Sequence, residues 1–327
     1  MLKKRRLRFK LLLGLGLALL PFTLLIAGFQ LVPVMSMLIG SFTTDSGDGL
    51  TLNQYVTALT NAFYFKAIQN SILISLFSSL AGIIIGAFAA HSITRFSPIV
   101  RDRILMLSNM TSNFAGIPLA FAYIILLGNN GVFTLLFKEW GWDVFAEFNL
   151  YSWTGLTLIY VYFQIPLAIL LIYPSFYGIH EQWKEASYLL GASPAKFWRT
   201  VGLPCIAPAL LGTLGILFAN AMGAYATAYA LVGSNYNLLA VRISSLVTGD
   251  VVTRPQLGSA LAVLLALTSI GAVWINSLMT RRVAAFTGNG AAAASYKSAK
   301  RRWFTPKANH EQPSSPRTQR GENLYDT

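Results

Sequence analysis

Between two long apolar segments lies the stretch EASYLLGASPAKFWRTVGLP, residues 185–204, where charged, aromatic and turn-forming side chains alternate at helical spacing. Trp183, Ala186, Leu189 and Leu190 recur three and four residues apart and share one helical face. Gly191 follows where a helix can close on a left-handed residue. Ser193 can accept from the freed amides of a second helix, and Pro194 suits its first position because no donor is needed there. Phe197, Trp198 and Val201 then fall together, with Lys196 and Arg199 beside them, and Pro204 cannot donate to a continuing helix. The spacing predicts two short helices meeting at a glycine corner, parallel to a membrane surface, with an aromatic patch exposed. The chemistry open to such a hairpin is docking. It can rest on lipid headgroups, or it can seat in a partner's groove through Trp183, Phe197 and Trp198. Glu185 and Arg199 are either ionic contacts to that partner or solvated charges.

Bond-making chemistry has no comparable constellation. His91, His180 and His310 are far apart and lack the spacing of metal ligands, and Cys205 is the only cysteine. No G-x-x-x-x-G-K-[ST] phosphate loop occurs; GNGAAAAS at 288–295 has glycines but no following lysine. We therefore expect no catalytic residue, metal or cofactor in this chain, and any nucleotide must be bound by another. The net charge of +13 does not signal nucleic acid, because the basic residues are split among four separate segments.

The elements that hold the hairpin are membrane-like. The 327 residues are 54% hydrophobic and 11% charged, against about 25% charged in soluble domains. Six apolar stretches, roughly 11–40, 67–92, 104–127, 152–174, 207–232 and 257–280, carry no Asp, Glu, Lys or Arg. Each is long enough to cross a hydrocarbon core of about 30 Å, which gives an all-α polytopic protein. The basic start, MLKKRRLRFK, resembles a secretory signal, but the apolar run behind it is too long and reads as an uncleaved first span. Segments 1–10, 93–103, 175–206 and 281–327 hold 6, 3, 3 and 9 of the 25 Lys and Arg residues, which puts both termini and the hairpin in the cytoplasm. The organisation expected is a basic cytoplasmic N-terminus at 1–10, a six-helix domain at 11–280 with the hairpin at 181–204, and a disordered basic tail at 281–327 that is solvated or rests on anionic lipid. On the other side, 233–256 has a centre apolar enough for a short re-entrant or interfacial helix.

The hairpin resembles the EAA loop of bacterial ABC-transporter permeases, the inner-membrane components of binding-protein-dependent transport systems. The pattern E-A-A, three residues, G, nine residues, I-x-L-P is matched by Glu185, Ala186, Gly191, Leu203 and Pro204, with Ser187 for the second alanine and Val201 for the isoleucine. GAYATAYALVGSNYNLLAVRI, 223–243, and GSALAVLLALTS look like permeases of the polyamine, ferric-iron, thiamine and phosphonate group. The resemblance implies the six-helix importer-permease (MetI-like) fold in the bacterial inner membrane. It also implies ATPase-coupling residues Glu185, Ala186, Ser187, Gly191, Phe197, Trp198, Leu203 and Pro204. The implied partners are two ATP-binding cassette ATPase subunits, a second homologous or identical permease, and an extracytoplasmic solute-binding protein. Asn113, Gln164, Asn220, Tyr225 and Tyr229 are the polar residues expected to line a solute path or to bond neighbouring helices, with Tyr225 and Tyr229 on one face of the fifth span. A polyamine-like solute is the expectation, with ferric iron, thiamine and phosphonate as alternatives. An ion-coupled carrier is disfavoured because no span holds a charged residue.

Overall fold

The computed structural model describes residues 19–45, 47, 49–142, 148–249 and 253–286. The expectations for 1–10 and for most of the tail lie outside these residues, and within 281–327 the last helix runs on through Phe286. Among the described residues every regular element is a helix. In chain order these are α1 Leu19–Gly40, α2 Asn53–Thr60, α3 Ala62–Ile93, α4 Pro98–Asn113, α5 Ile117–Leu127 and α6 Val132–Glu139. Then come α7 Trp153–Phe176, α8 Glu181–Leu189, α9 Pro194–Met222, α10 Tyr225–Val232, α11 Leu239–Thr248 and α12 Pro255–Phe286. Six helical segments are long and apolar enough to cross a membrane: α1, α3, α5 with α6, α7, α9 and α12.

The packing of α3 shows how such a chain builds an interior without an oil-water contrast between its faces. Ser71, Ser75, Ser78, Ser79, Gly82, Gly86 and Ala90 make most of its buried face small, with Ile68, Ile74, Ile83 and Ile93 among them, whereas Leu76, Phe77, Leu80, Ile84, Ile85 and Phe88 point outward. Large apolar side chains suit lipid as well as they suit protein, so small residues that let backbones approach are what specify contact. A Cβ on Gly82 would stand 2.7 Å from Cβ of Gln164, and one on Gly86 would stand 2.5 Å from Cβ of Ala168. Together with the ring contact of Phe77 with Trp153 and of His91 with Phe176, these pairings run in the same direction along both helices. Thus α3 and α7 are parallel. The antiparallel α9 lies across both, with Gln164 Nε2 donating to the Leu217 carbonyl at 2.8 Å.

Two of the expected spans are interrupted. The stretch 104–127 is not one helix: α4 ends at Asn113, Gly116 adopts φ +82°, and α5 starts at Ile117. The stretch 207–232 likewise breaks after Met222, with Gly223 and Ala224 outside regular helix. Hydropathy is blind to both breaks because the residues on either side remain apolar. Between α10 and α12, α11 is the short helix expected at 233–256, and it is pinned to α3 by the amide of Leu239 donating to Ser71 Oγ at 2.8 Å. At the same end, Asp45 accepts from Gln54 Nε2 and from Arg254 Nη2, each at 2.7 Å, tying the loop after α1 to the start of α12. The Arg254 contact holds the Asp45 carboxyl below the usual carboxylate range.

Candidate coupling hairpin and solute path

The corner at Gly191 is a complete Schellman closure. The Gly191 amide donates to the Tyr188 carbonyl and the Ala192 amide to the Ser187 carbonyl, both at 2.9 Å, which satisfies two carbonyls that the end of α8 leaves free. Gly191 sits at φ +78°, where an L side chain is strained although nothing lies within 4 Å of its would-be Cβ. Ser193 Oγ accepts from the Lys196 amide at 3.3 Å, so Ser193 and Pro194 open the next helix as their types require. Lys184 donates to Glu181 at 2.7 Å, a contact that holds the lysine above its ordinary range. Glu185 is exposed and has no ion-pair partner among the described residues.

Beyond the corner the structure corrects the expected form of the hairpin. The second helix is not a separate surface element; it runs from Pro194 into the membrane as the start of α9. Pro204 is accommodated because Trp198–Gly202 forms a widened π turn just before it. Phe197 and Trp198 are likewise not an exposed patch. Phe197 is 1% exposed, with Tyr188 of α8 on one side and Trp198 on the other at ring distances of 6.4 and 5.9 Å. Trp198 turns inward against His91 at 4.7 Å and lies under Gly202, where a Cβ would reach within 2.4 Å of the indole. These two aromatics brace the corner against the membrane helices. The large apolar side chains left free are Leu189 and Leu190, 88% and 89% exposed; Trp183 is also exposed but sets its ring edge-on to His180 at 5.2 Å. Glu185, Ala186 and Gly191 are exposed around them, Ser187 is half-buried, and Leu203 is exposed on α9 just after its π turn. Leu189 and Leu190 are legible in the sequence as members of the apolar face; their exposure is not, because it depends on Phe197 and Trp198 turning inward.

The polar residues expected along a path separate into two groups. Gln164, on α7, is fully buried against α3 and α9; its Nε2 donates to the Leu217 carbonyl and to Ser79 Oγ, while its Oε1 has no partner among the described residues. Asn113, Asn220 and Tyr229 are exposed on the chain surface and Tyr225 is half-buried. Tyr225 and Tyr229 do share a face, stacked at 5.3 Å, but on α10 rather than on the helix that carries Asn220. Tyr225 is fixed by Ser244 Oγ of α11 at 2.9 Å. Asn113 and Asn220 each stand three residues before the glycine of a helix break, and the first break is tied to the helix that follows the second: the Gly116 amide donates to Thr227 Oγ1 of α10 at 2.8 Å. Thr227, a further polar residue of the fifth apolar stretch, bonds a neighbouring segment here, one of the two roles open to such residues from the sequence.

Residues 82–285 match the family model of the binding-protein-dependent transport system inner membrane component. The chain belongs to that family. The permease is 25% identical over 269 residues to a putative ferric transport system permease protein, FbpB 1, of Haemophilus influenzae, a match that takes in 80% of this chain and 41% of that relative. The chain therefore spans about two fifths of that relative's length. It is 26% identical to the sulfate transport system permease protein CysW of Escherichia coli, covering 68% of this chain and 71% of CysW. It is 22% identical to the spermidine/putrescine transport system permease protein PotC of the same species, covering 78% and 91%. Among solved structures, the permease shares its fold with a bacterial ABC transporter involved in import of the acidic polysaccharide alginate, at TM-score 0.66 and 19% identity over 86% of this chain and 98% of that one. The MetNI methionine ABC transporter aligns at TM-score 0.51 and 18% identity over 67% and 95%. The six-helix permease fold expected from the sequence is thus the fold observed.

Proposed function

We propose that this permease is one of two membrane subunits of an ATP-driven importer, with both termini and the 181–204 hairpin in the cytoplasm. Each hairpin docks in a groove of an ATP-binding cassette ATPase, and an extracytoplasmic binding protein delivers the solute to the opposite face. The observation that carries this reading is the free tip of α8. Leu189 and Leu190 stand exposed beside a rigid glycine corner whose other side is braced by Phe197 and Trp198. Exposed leucines flanked by Glu181, Lys184 and Glu185 fit a groove with a polar rim better than lipid alone. Rigidity matters here because a soft corner would absorb the partner's movement before it reached α9. Closure of the ATPase pair would swing the hairpin and, through the unbroken helix Pro194–Met222, displace the break at Gly223 near which Asn220, Tyr225 and Tyr229 lie.

For the solute we propose a small polyamine-like cation. The stacked Tyr225–Tyr229 pair offers π faces to a cation without a carboxylate to trap it, and the spermidine/putrescine relative is matched over most of its length. The test is uptake of labelled spermidine, ferric iron and sulfate by cells carrying the assembled transporter, with and without ATP depletion. ATP-dependent spermidine uptake is the expected result. Uptake of another solute would displace the cation assignment, and ion-driven uptake without ATP would overturn the importer itself.

A further inference from the structure

The chain lays out one plan twice. In residues 62–127 a long helix, α3, is followed by a return helix opening on Ser97-Pro98, an Asn-x-x-Gly break (Asn113 to Gly116) and a short helix, α5, that ends on Gly128-Asn129-Asn130. In residues 153–232 the long helix α7 is followed by a return helix opening on Ser193-Pro194, an Asn-x-x-Gly break (Asn220 to Gly223) and a short helix, α10, that ends on Gly233-Ser234-Asn235. The packing obeys the same plan. The first helices, α3 and α7, lie parallel against each other; the return helix α4 packs on α7 while α9 packs on α3 and also on α7; and the short helices α5 and α10 pack together. Exchanging the two copies returns the α3–α7 and α5–α10 contacts to themselves and interchanges α4–α7 with α9–α3; the α9–α7 contact is the departure from this plan. Helices that repeat in parallel, with exchanged partners, are a known way to build a membrane transport domain.

The copies differ in one place that bears on coupling. Where the first has the short turn Thr94–Ser97, the second carries the hairpin. Only the second copy is therefore driven directly. The breaks are where it can drive the first. A helix interruption within the membrane leaves amides that must find partners inside the protein, and the Gly116 amide finds Thr227 Oγ1, in α10 of the other copy, at 2.8 Å. Thr227 is 3% exposed, and the Ala226 methyl carbon lies 3.7 Å from where a Cβ on Gly116 would be. The second break is anchored to its own copy, with Tyr160 donating to the Ala224 carbonyl at 2.9 Å.

We infer that the two copies are tandem structural repeats whose helix breaks act as one hinge, with Thr227 as the positioning residue that passes hairpin motion from the second repeat to the first. This rests on the coupling role proposed for the hairpin. The test uses the assembled transporter in membranes and a Cys205→Ala background that retains uptake, with an environment-sensitive maleimide fluorophore attached at Asn130→Cys or at Asn235→Cys. These exposed positions close the two repeats. Trapping with ATP and vanadate should change the signal at both sites. In Thr227→Val the change at Asn235→Cys should persist, while that at Asn130→Cys should fall about fivefold, the ratio that loss of one buried hydrogen bond corresponds to. Thr227→Ser should restore it, and Thr227→Ala, which adds no volume, should reproduce the split should valine compromise folding. Equal responses at both sites in the valine and alanine variants would overturn the hinge. Silence at both sites with Thr227 intact would instead overturn the coupling role itself, and the hinge with it.

Discussion

Replacement of Gly191 separates the geometry of the corner from its packing. A Cβ at this position meets nothing within 4 Å, so Gly191→Ala adds no clash, and its whole cost is that of holding an L-residue at φ +78°. That cost is about 1–2 kcal/mol, which lowers the population of the correct corner, and hence apparent docking of the ATPase, by about 5- to 30-fold. Gly191→Asn, whose side chain tolerates the left-handed region, should fall between glycine and alanine. Gly191→Pro should abolish docking, because proline fixes φ near −65° and also removes the amide that donates to Tyr188. The assay is titration of purified ATPase against the permease in nanodiscs, with thermal unfolding of the permease as a control. Docking unaltered by both alanine and proline would refute the reasoning that a fixed corner presents the tip.

Four further outcomes follow from other contacts. Leu189→Ser with Leu190→Ser should weaken ATPase docking at least tenfold while leaving the unfolding temperature of the isolated permease unchanged, as measured by the same titration and melt. Phe197→Ala should loosen the hairpin by about 3 kcal/mol, detected as faster hydrogen exchange over 181–204 with the membrane core still protected. Gly86→Leu should drive α3 and α7 apart, since even a methyl group there meets Ala168 at 2.5 Å; an unfolding midpoint in mild detergent equal to that of the parent would count against the small-residue stripe. The Asp45–Arg254 tie depends on a carboxylate whose folded pKa is lowered, so its contribution is complete above the unfolded value and is lost as pH falls through the lower folded one. Exchange in the loop 41–54 should therefore separate wild type from Asp45→Asn at pH 7, and the difference should vanish only in strong acid.

What the sequence carried about this protein depended on whether the physics was local. The Gly191 corner and the Ser193 cap follow from the conformations open to those residue types, and both stand in the structure as the spacing required. Six segments apolar enough to cross a membrane were equally plain. The orientation of the hairpin's aromatics was not local. Trp198 turns inward because His91, from a helix more than a hundred residues earlier, supplies its contact surface. Polarity alone left two roles open at Gln164, and its burial depends on a distant contact, Gly82 bringing α3 close to it. The breaks at 114–116 and 223–224 escaped a reading by hydropathy, although Asn-x-x-Gly stands at both.

The claim on which the account depends is that the exposed tip of α8 meets an ATPase. A photo-reactive amino acid placed at Ala186, which is exposed beside the corner, measures that contact directly in cells carrying the intact transporter. Irradiation should link the permease to its ATP-binding subunit, with a yield that changes between nucleotide-free and vanadate-trapped states. Cross-links to lipid alone, in both states, would contradict it.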